Sequence, residues 1–266
     1  SPVTGTVKSI GPRKDLAGNN VTHIEIVRTG EDEWAEGIDL SEDLVTAIPD
    51  DREAMLARIK ACGVVGLGGA TFPTHVKLNP GPAAKPECLI LNGAECEPFL
   101  TSDYRILLEQ TDKIVVGAAI MQKILGCRCV IGIEENKPEA IEAVKASVAR
   151  LGYQNMVVQT LKKRYPQGGE KQLIDAVMRR QVKSGALPIS VGAVVQNVAT
   201  SLAVYDAVQK NRPLITNTLT VTGNCLPVEA QHNYLFRIGM PLSYIAAYAG
   251  GVPEGAAKIV SGGPMM

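Results

Sequence analysis

Short apolar runs alternate with stretches of helical periodicity from residue 51 to residue 209, and this limits the fold more than anything else in the chain. Residues 51–62 carry Met55, Leu56, Ile59 and Cys62 at helical spacing, after a capping signal at Pro49-Asp50-Asp51. Residues 88–91 (CLIL) read as a short apolar strand, and 104–110 and 113–125 as helices. Residues 129–133 (CVIGI) read as a buried strand. Residues 137–151 form an amphipathic helix with Ile141, Val144, Val148 and Leu151 on one side. A strand at 155–161 and helices at Glu170–Met178 and 197–209 complete the pattern. Strands alternating with helices of this length predict an α/β fold with a mostly parallel sheet.

The flanks read differently. Residues 1–47 are polar and β-like: 5–10 and 21–27 alternate apolar and polar residues, as half-buried strands do. Gly11-Pro12 and Gly18-Asn19-Asn20 read as turns. A small N-terminal β module is expected here, with further strands expected upstream. Composition shifts again at Asn211-Arg212-Pro213. Residues 217–222 (NTLTVT) are a β-branched strand, Gly223-Asn224 a turn, and 241–248 a short helix closed by Gly250-Gly251. Residues 259–266 are strand-like and then glycine-rich, and the chain reads as a piece of a longer protein.

Composition removes several classes of function. There are 27 basic and 27 acidic residues, so no basic face is signalled for nucleic acid. Aromatics are only 4%, too few for base-stacking platforms. No apolar run is long enough to span a bilayer. The six cysteines form no C-x-x-C, so neither a zinc knuckle nor an iron–sulfur cluster motif is present. Most lie among apolar residues, as buried free thiols of a reducing compartment do. Cys96 lies in a polar loop, where Glu95 and Glu97 disfavour a thiolate. His23, His75 and His232 have no ligand cluster or triad-like neighbours.

Four polar loops are left to carry chemistry. Residues 66–77, GLGGATFPTHVK, place three glycines before Lys77. Glycine lets a backbone approach a flat or phosphorylated ligand, and successive N–H groups can hold an anion. A dinucleotide fingerprint would need glycine at Thr71 and a strand upstream, and here a helix precedes. A plain turn is the alternative. Residues 92–98, NGAECEP, follow a strand and hold Glu95 and Glu97 two apart. In an extended segment these carboxylates would point the same way, able to accept from ribose hydroxyls or ring N–H groups. A solvated acidic loop is the alternative. Residues 165–173, YPQGGEKQL, place Glu170 in a first helical turn, where the dipole favours a carboxylate. In 194–200, VVQNVAT, Asn197 or Thr200 either caps a helix or donates to a phosphate. The carboxyl ends of strands in open α/β sheets are where ligands bind.

In order, GLGGATFPTHVK, NGAECEP, YPQGGEKQL and QNVAT resemble the flavin- and NADH-binding subunit of respiratory complex I. The likeness is greater to the C-subunit family of the Rnf (Rsx) electron-transport complexes, through NGAECEPFLTSDYR (92–105), GIEENK (132–137) and SGGPMM (261–266). The resemblance spans nearly the whole chain. It implies an N-terminal hybrid β module (1–47), a central Rossmann-like flavin-binding α/β domain (48–211) and a C-terminal β-grasp module (212–266).

It further implies FMN bound non-covalently over the glycine loop. Gly66, Gly68, Gly69, Lys77, Asn92, Glu95, Gly169, Asn197 and Thr200 match the flavin side, and Phe72, Glu97 and Glu170 the side that holds NADH. No catalytic side chain and no metal ligand is implied. Leu67, Ala94 and Ala199 depart from the arginine, aspartate and glutamate of complex I. Full-length members of the Rnf family resemble a two-cluster ferredoxin further along. The two 4Fe–4S clusters are therefore expected only outside this chain. The implied partners are the other proteins of a membrane-bound complex and a ferredoxin-type acceptor, at the cytoplasmic face of the bacterial inner membrane. Two alternatives stand beside this reading: a cobalamin reductase of the same fold, and a non-catalytic docking scaffold.

Overall fold

The computed structural model describes residues 1–15 and 18–265. Met266, the last residue of the strand-like and then glycine-rich end, lies outside the described residues. A four-stranded parallel sheet forms the centre. Its strands are β3 (Cys88–Gly93), β4 (Arg128–Glu134), β5 (Met156–Leu161) and β6 (Ala193–Asn197). Their spatial order is β5-β4-β3-β6, with every neighbouring pair parallel. In chain order that is third, second, first, fourth, which is one half of a doubly wound sheet and the first strand beyond its switch point. The chain steps outward from β3 in one direction and then crosses to the other side for β6. The order therefore reverses between β3 and β6, and a crevice opens at their carboxyl ends.

Alternation along the strands builds two cores. Leu89 and Leu91 face one side with Cys129, Ile131 and Ile133. Cys88 and Ile90 face the other with Val130, Ala193 and Val195. The first face is covered by α1 (Arg52–Ala61), α3 (Ser102–Glu109), α4 (Thr111–Leu125), α5 (Pro138–Leu151) and α7 (Val198–Lys210). The second is covered by α6 (Glu170–Met178). α4 and α7 meet backbone to backbone: a Cβ on Gly117 would lie 2.0 Å from the Ser201 carbonyl oxygen. Ser201 Oγ donates to the Ile114 carbonyl at 2.8 Å in the same contact.

Asp51 caps α1 by accepting from the Ala54 N–H, as the sequence indicates. A short helix, α2 (Thr74–Lys77), follows the glycine loop. At the N-terminus β1 (Gly5–Lys14) and β2 (Asn20–Arg28) form an antiparallel hairpin. Gly11-Pro12 is not a turn there. Pro12 pairs with Thr22 inside β1, and an edge strand tolerates a residue with no N–H to give. Residues 39–45 then run beside α7. Buried Lys210 donates to Asp39 at 2.6 Å and Ser41 at 2.9 Å, and the Val45 N–H donates to Tyr205 Oη.

Beyond α7, β7 (Thr216–Val221) pairs antiparallel with β8 (His232–Arg237), and α8 (Leu242–Tyr248) follows. β8 is not evident in the sequence, where HNYLFR is too short and polar a run to stand out. The strand expected from residue 259 does not form among the described residues. Instead, this tail returns to the central domain. No helix among the described residues is long and apolar enough to cross a membrane.

Candidate functional site

The glycine loop is closed at its base by a bridge between Val65 and Pro73 and by the Gly66 N–H donating to the Phe72 carbonyl at 2.9 Å. Gly69 has φ +110°, outside the range of L side chains, and a Cβ there would meet nothing within 4 Å. This stretch of backbone is therefore open on its outer side. Gly68 lies against the end of β6: an added Cβ would sit 3.3 Å from Asn197 Cβ. The Leu67 N–H donates to fully buried Thr200 Oγ1 at 2.9 Å. The loop is thus fastened to the strand end where the sheet order reverses, although a helix and not a strand leads into it.

Asn197 is committed twice. Its Oδ1 accepts from the Ala199 and Thr200 N–H groups, capping α7, and its Nδ2 donates to Asp103 Oδ2 at 2.7 Å. Of its two sequence readings, the structure shows the cap. Asn92, at the end of β3, joins the second polar loop to the third by donating from Nδ2 to the Gly168 carbonyl at 2.9 Å. The Gly168 N–H donates back to Cys96 Sγ at 3.3 Å. Gly169 is the residue before the first turn of α6.

Glu95 and Glu97 do not point the same way. The segment is not extended: Glu95 has φ +48°. Both Glu95 oxygens turn inward to the start of α3, accepting from the Asp103 N–H at 2.8 Å and the Tyr104 N–H at 3.1 Å. Burial, then the nearby Asp103 charge, pushes the Glu95 carboxyl up to about 7. Burial likewise raises Asp103 to about 6, against the Asn197 hydrogen bond and the Lys137 charge. Lys137 is buried and donates from Nζ to the Ala94 carbonyl at 2.8 Å, with Glu134 at 3.5 Å. Glu97 meets the C-terminal tail: its Oε1 accepts from the Met265 N–H at 2.5 Å.

Lys77 and Glu170 meet across the crevice at 2.9 Å, linking the first and third loops. Phe72 stands at the rim with half its surface exposed. The structure therefore gathers the loops of all twelve candidate residues at one end of the sheet. Within that set it directs Glu95, Asn92 and Asn197 into bonds between loops, while Gly69 and Phe72 stay open. Sequence reasoning missed Gln196, Asp103, Glu134 and Lys137. Gln196 is 4% exposed, and its Nε2 has no hydrogen-bond partner. A polar residue breaking the apolar run of β6 just before its end was the available signal. Asp103 and the Glu134–Lys137 pair were covered by the quoted motifs but given no role.

These features suit a flat ligand with an anionic arm. The crevice offers open glycine backbone and one lysine at the point where doubly wound sheets bind ligands.

Comparison with solved structures shows the same fold. The NAD+-reducing NiFe hydrogenase in its H2-reduced state superposes with a TM-score of 0.66 at 22% identity, covering 76% of this chain and 39% of that one. Its air-oxidised form gives 0.65 over 75% of this chain and 39% of that one, also at 22% identity. The family model described as the Nuo51 FMN-binding domain matches residues 59–206, and the chain belongs to that family. Among curated relatives, the chain is 45% identical over 264 residues to the C subunit of the proton-translocating ferredoxin:NAD(+) oxidoreductase complex of Clostridium ljungdahlii, covering 99% of this chain and 56% of the relative. It is 39% identical over 266 residues to the C subunit of the Na(+)-translocating ferredoxin:NAD(+) oxidoreductase complex of Acetobacterium woodii, covering 99% and 58%. It is 38% identical to the C subunit of the ion-translocating oxidoreductase complex of Pseudomonas aeruginosa, covering 100% and 34%. The chain thus spans little more than half the length of the first two relatives and a third of the last.

Proposed function

We propose that this chain is the FMN- and NADH-binding part of an Rnf-type C subunit, passing electrons from NADH through FMN toward iron–sulfur centres. The observation that carries the reading is the fastening of the glycine loop to the end of β6 and the first turn of α7, with the Gly69 backbone left open. When bound, FMN supplies the hydride acceptor and the route out by single electrons. The protein's part is to bind and orient. In this reading Gly66, Gly68 and Gly69 give a surface without side chains for the ring system, and Lys77 gives a positive charge for the phosphate. Asn92, Glu95, Gly169, Asn197 and Thr200 hold the loops on the flavin side. Phe72 supplies a face for stacking, and Glu97 and Glu170 supply acceptors for NADH hydroxyls.

The names of the relatives support a place in a multi-subunit ion-translocating complex. In this reading the chain works at the cytoplasmic face of the inner membrane. Two 4Fe–4S clusters and a ferredoxin-type acceptor lie further along the path. The N-terminal hairpin and the β7–β8 unit are read as the hybrid β and β-grasp modules.

The test is anaerobic titration of the chain with FMN and then NADH. Quenching of flavin fluorescence on binding, followed by loss of flavin absorbance that oxygen restores, is the expected result. Absence of saturable FMN binding would refute the reading.

A further inference from the structure

The tail after α8 returns to the second and third polar loops. Glu97 Oε1 accepts from the Met265 N–H at 2.5 Å, and Tyr165 Oη donates to the Met265 carbonyl at 3.2 Å. One peptide segment is therefore gripped from two different polar loops. Gly263 is buried between exposed neighbours. A Cβ built on it would stand 1.8 Å from Glu97 Cγ and 2.1 Å from Glu97 Cδ, so only glycine permits this approach. Gly262, with φ +104°, makes the bend that brings the segment in.

We propose that residues 262–265 are a wall of the dinucleotide side of the crevice, and that this strap is what positions Glu97. The inference rests on the reading of Glu97 as an NADH acceptor. With Oε1 held by a backbone N–H and the Tyr165 hydroxyl alongside, the carboxylate is fixed in one orientation, from which its remaining lone pairs accept from a ribose hydroxyl. An acceptor fixed before the ligand arrives loses less side-chain entropy on binding than a free glutamate does. Among the described residues the strap's hydrogen bonds run to Glu97 and Tyr165 and to none of the residues assigned to the flavin side. Its removal should therefore separate the two ligands.

The test uses the 266-residue chain and its Gly263→Ala variant. The added methyl displaces either the strap or the Glu97 side chain, and both outcomes break the Met265 bond. Hydrogen exchange of peptides from the tail, measured without any ligand, should be faster in the variant. FMN affinity by fluorescence should stay within about twofold, while NADH affinity for the FMN-loaded protein falls roughly tenfold, the scale of one hydrogen bond to a charged group. Tyr165→Phe keeps the ring and removes the hydroxyl that donates to the Met265 carbonyl and stands against Glu97, while the Met265 N–H bond to Glu97 remains, so its tail should exchange at an intermediate rate. Faster tail exchange with unchanged NADH affinity would overturn the proposal, as would a tail in the parent chain that exchanges as fast as free peptide. If the parent chain binds FMN but not NADH, the fault lies in the proposed function and not in the strap.

Discussion

Glu170→Gln should move the two ligands in opposite directions. Glu170 is bonded to Lys77 at 2.9 Å, and the two side chains are 43% and 31% exposed. A pair so open to water contributes about 0.2–1 kcal/mol. Any anion that takes Lys77 must first break this pair. Replacing the carboxylate with an amide removes that competition and a negative charge beside the phosphate position. FMN affinity should therefore rise by about 1.4- to 5-fold, and the gain should shrink as salt is added. NADH loses a charged acceptor, which contributes about 1.5–3 kcal/mol, so its affinity should fall on the order of tenfold to a hundredfold. Lys77→Met should weaken FMN, and in the double variant Glu170→Gln should no longer improve it. Fluorescence titration of FMN at two salt concentrations, then NADH titration of the loaded protein, measures each quantity. A fall in FMN affinity in Glu170→Gln would refute the competition argument and make Glu170 a flavin contact.

Gly68→Val should abolish FMN binding while circular dichroism shows helical content intact, because the side chain would enter the 3.3 Å space against Asn197 and lift the loop from β6. Normal flavin quenching in this variant would reduce the loop to a turn. The acid pair gives a pH signature. Asp103 and Glu95 have folded values of about 6 and about 7, above their ordinary 3.8 and 4.5, so the native state holds more protons between these limits. Stability should thus be greatest on the acid side of the window and fall as pH rises through 6 to 7. Asp103→Asn should flatten that fall and be more stable than the parent at pH 8 by about 1–2 kcal/mol, a figure reduced for partial exposure. Urea unfolding at about pH 5 and pH 8 decides it, and an unchanged slope would show that the pair does not titrate.

The central fold was readable because its strands are short apolar runs and its helices carry clear periods. CLIL and CVIGI each specify a strand buried on both faces, and the Ile141–Val144–Val148 stripe a helix with one buried face. What failed was local. Gly11-Pro12 has turn composition, yet in an exposed hairpin Pro12 fits an edge strand without breaking it. The final strand failed because Ile259 and Val260 are apolar but find no strand to pair with among the described residues. Spacing suggested that Glu95 and Glu97 act together, and spacing assumes an extended backbone. The left-handed turn at Glu95 sends one carboxylate to α3 and leaves the other to the tail.

The site shows why motif spacing alone was insufficient. A fingerprint loop binds at the carboxyl end of the strand that leads into it. Here the glycine loop follows α1, so nothing within its own sequence says which strand end it will reach. That information lies in Thr200, more than a hundred residues later, whose hydroxyl accepts the Leu67 N–H. It lies also in the order β5-β4-β3-β6, which opens the crevice beside β6. Strand order is a long-range property that hydrophobic periodicity does not encode. The loops NGAECEP, YPQGGEKQL and QNVAT each follow a strand of this one parallel sheet. Parallel strands put all their carboxyl ends on the same side, so once the sheet is parallel the loops must converge. Their convergence was therefore deducible from the α/β alternation, whereas the docking of the glycine loop among them was not.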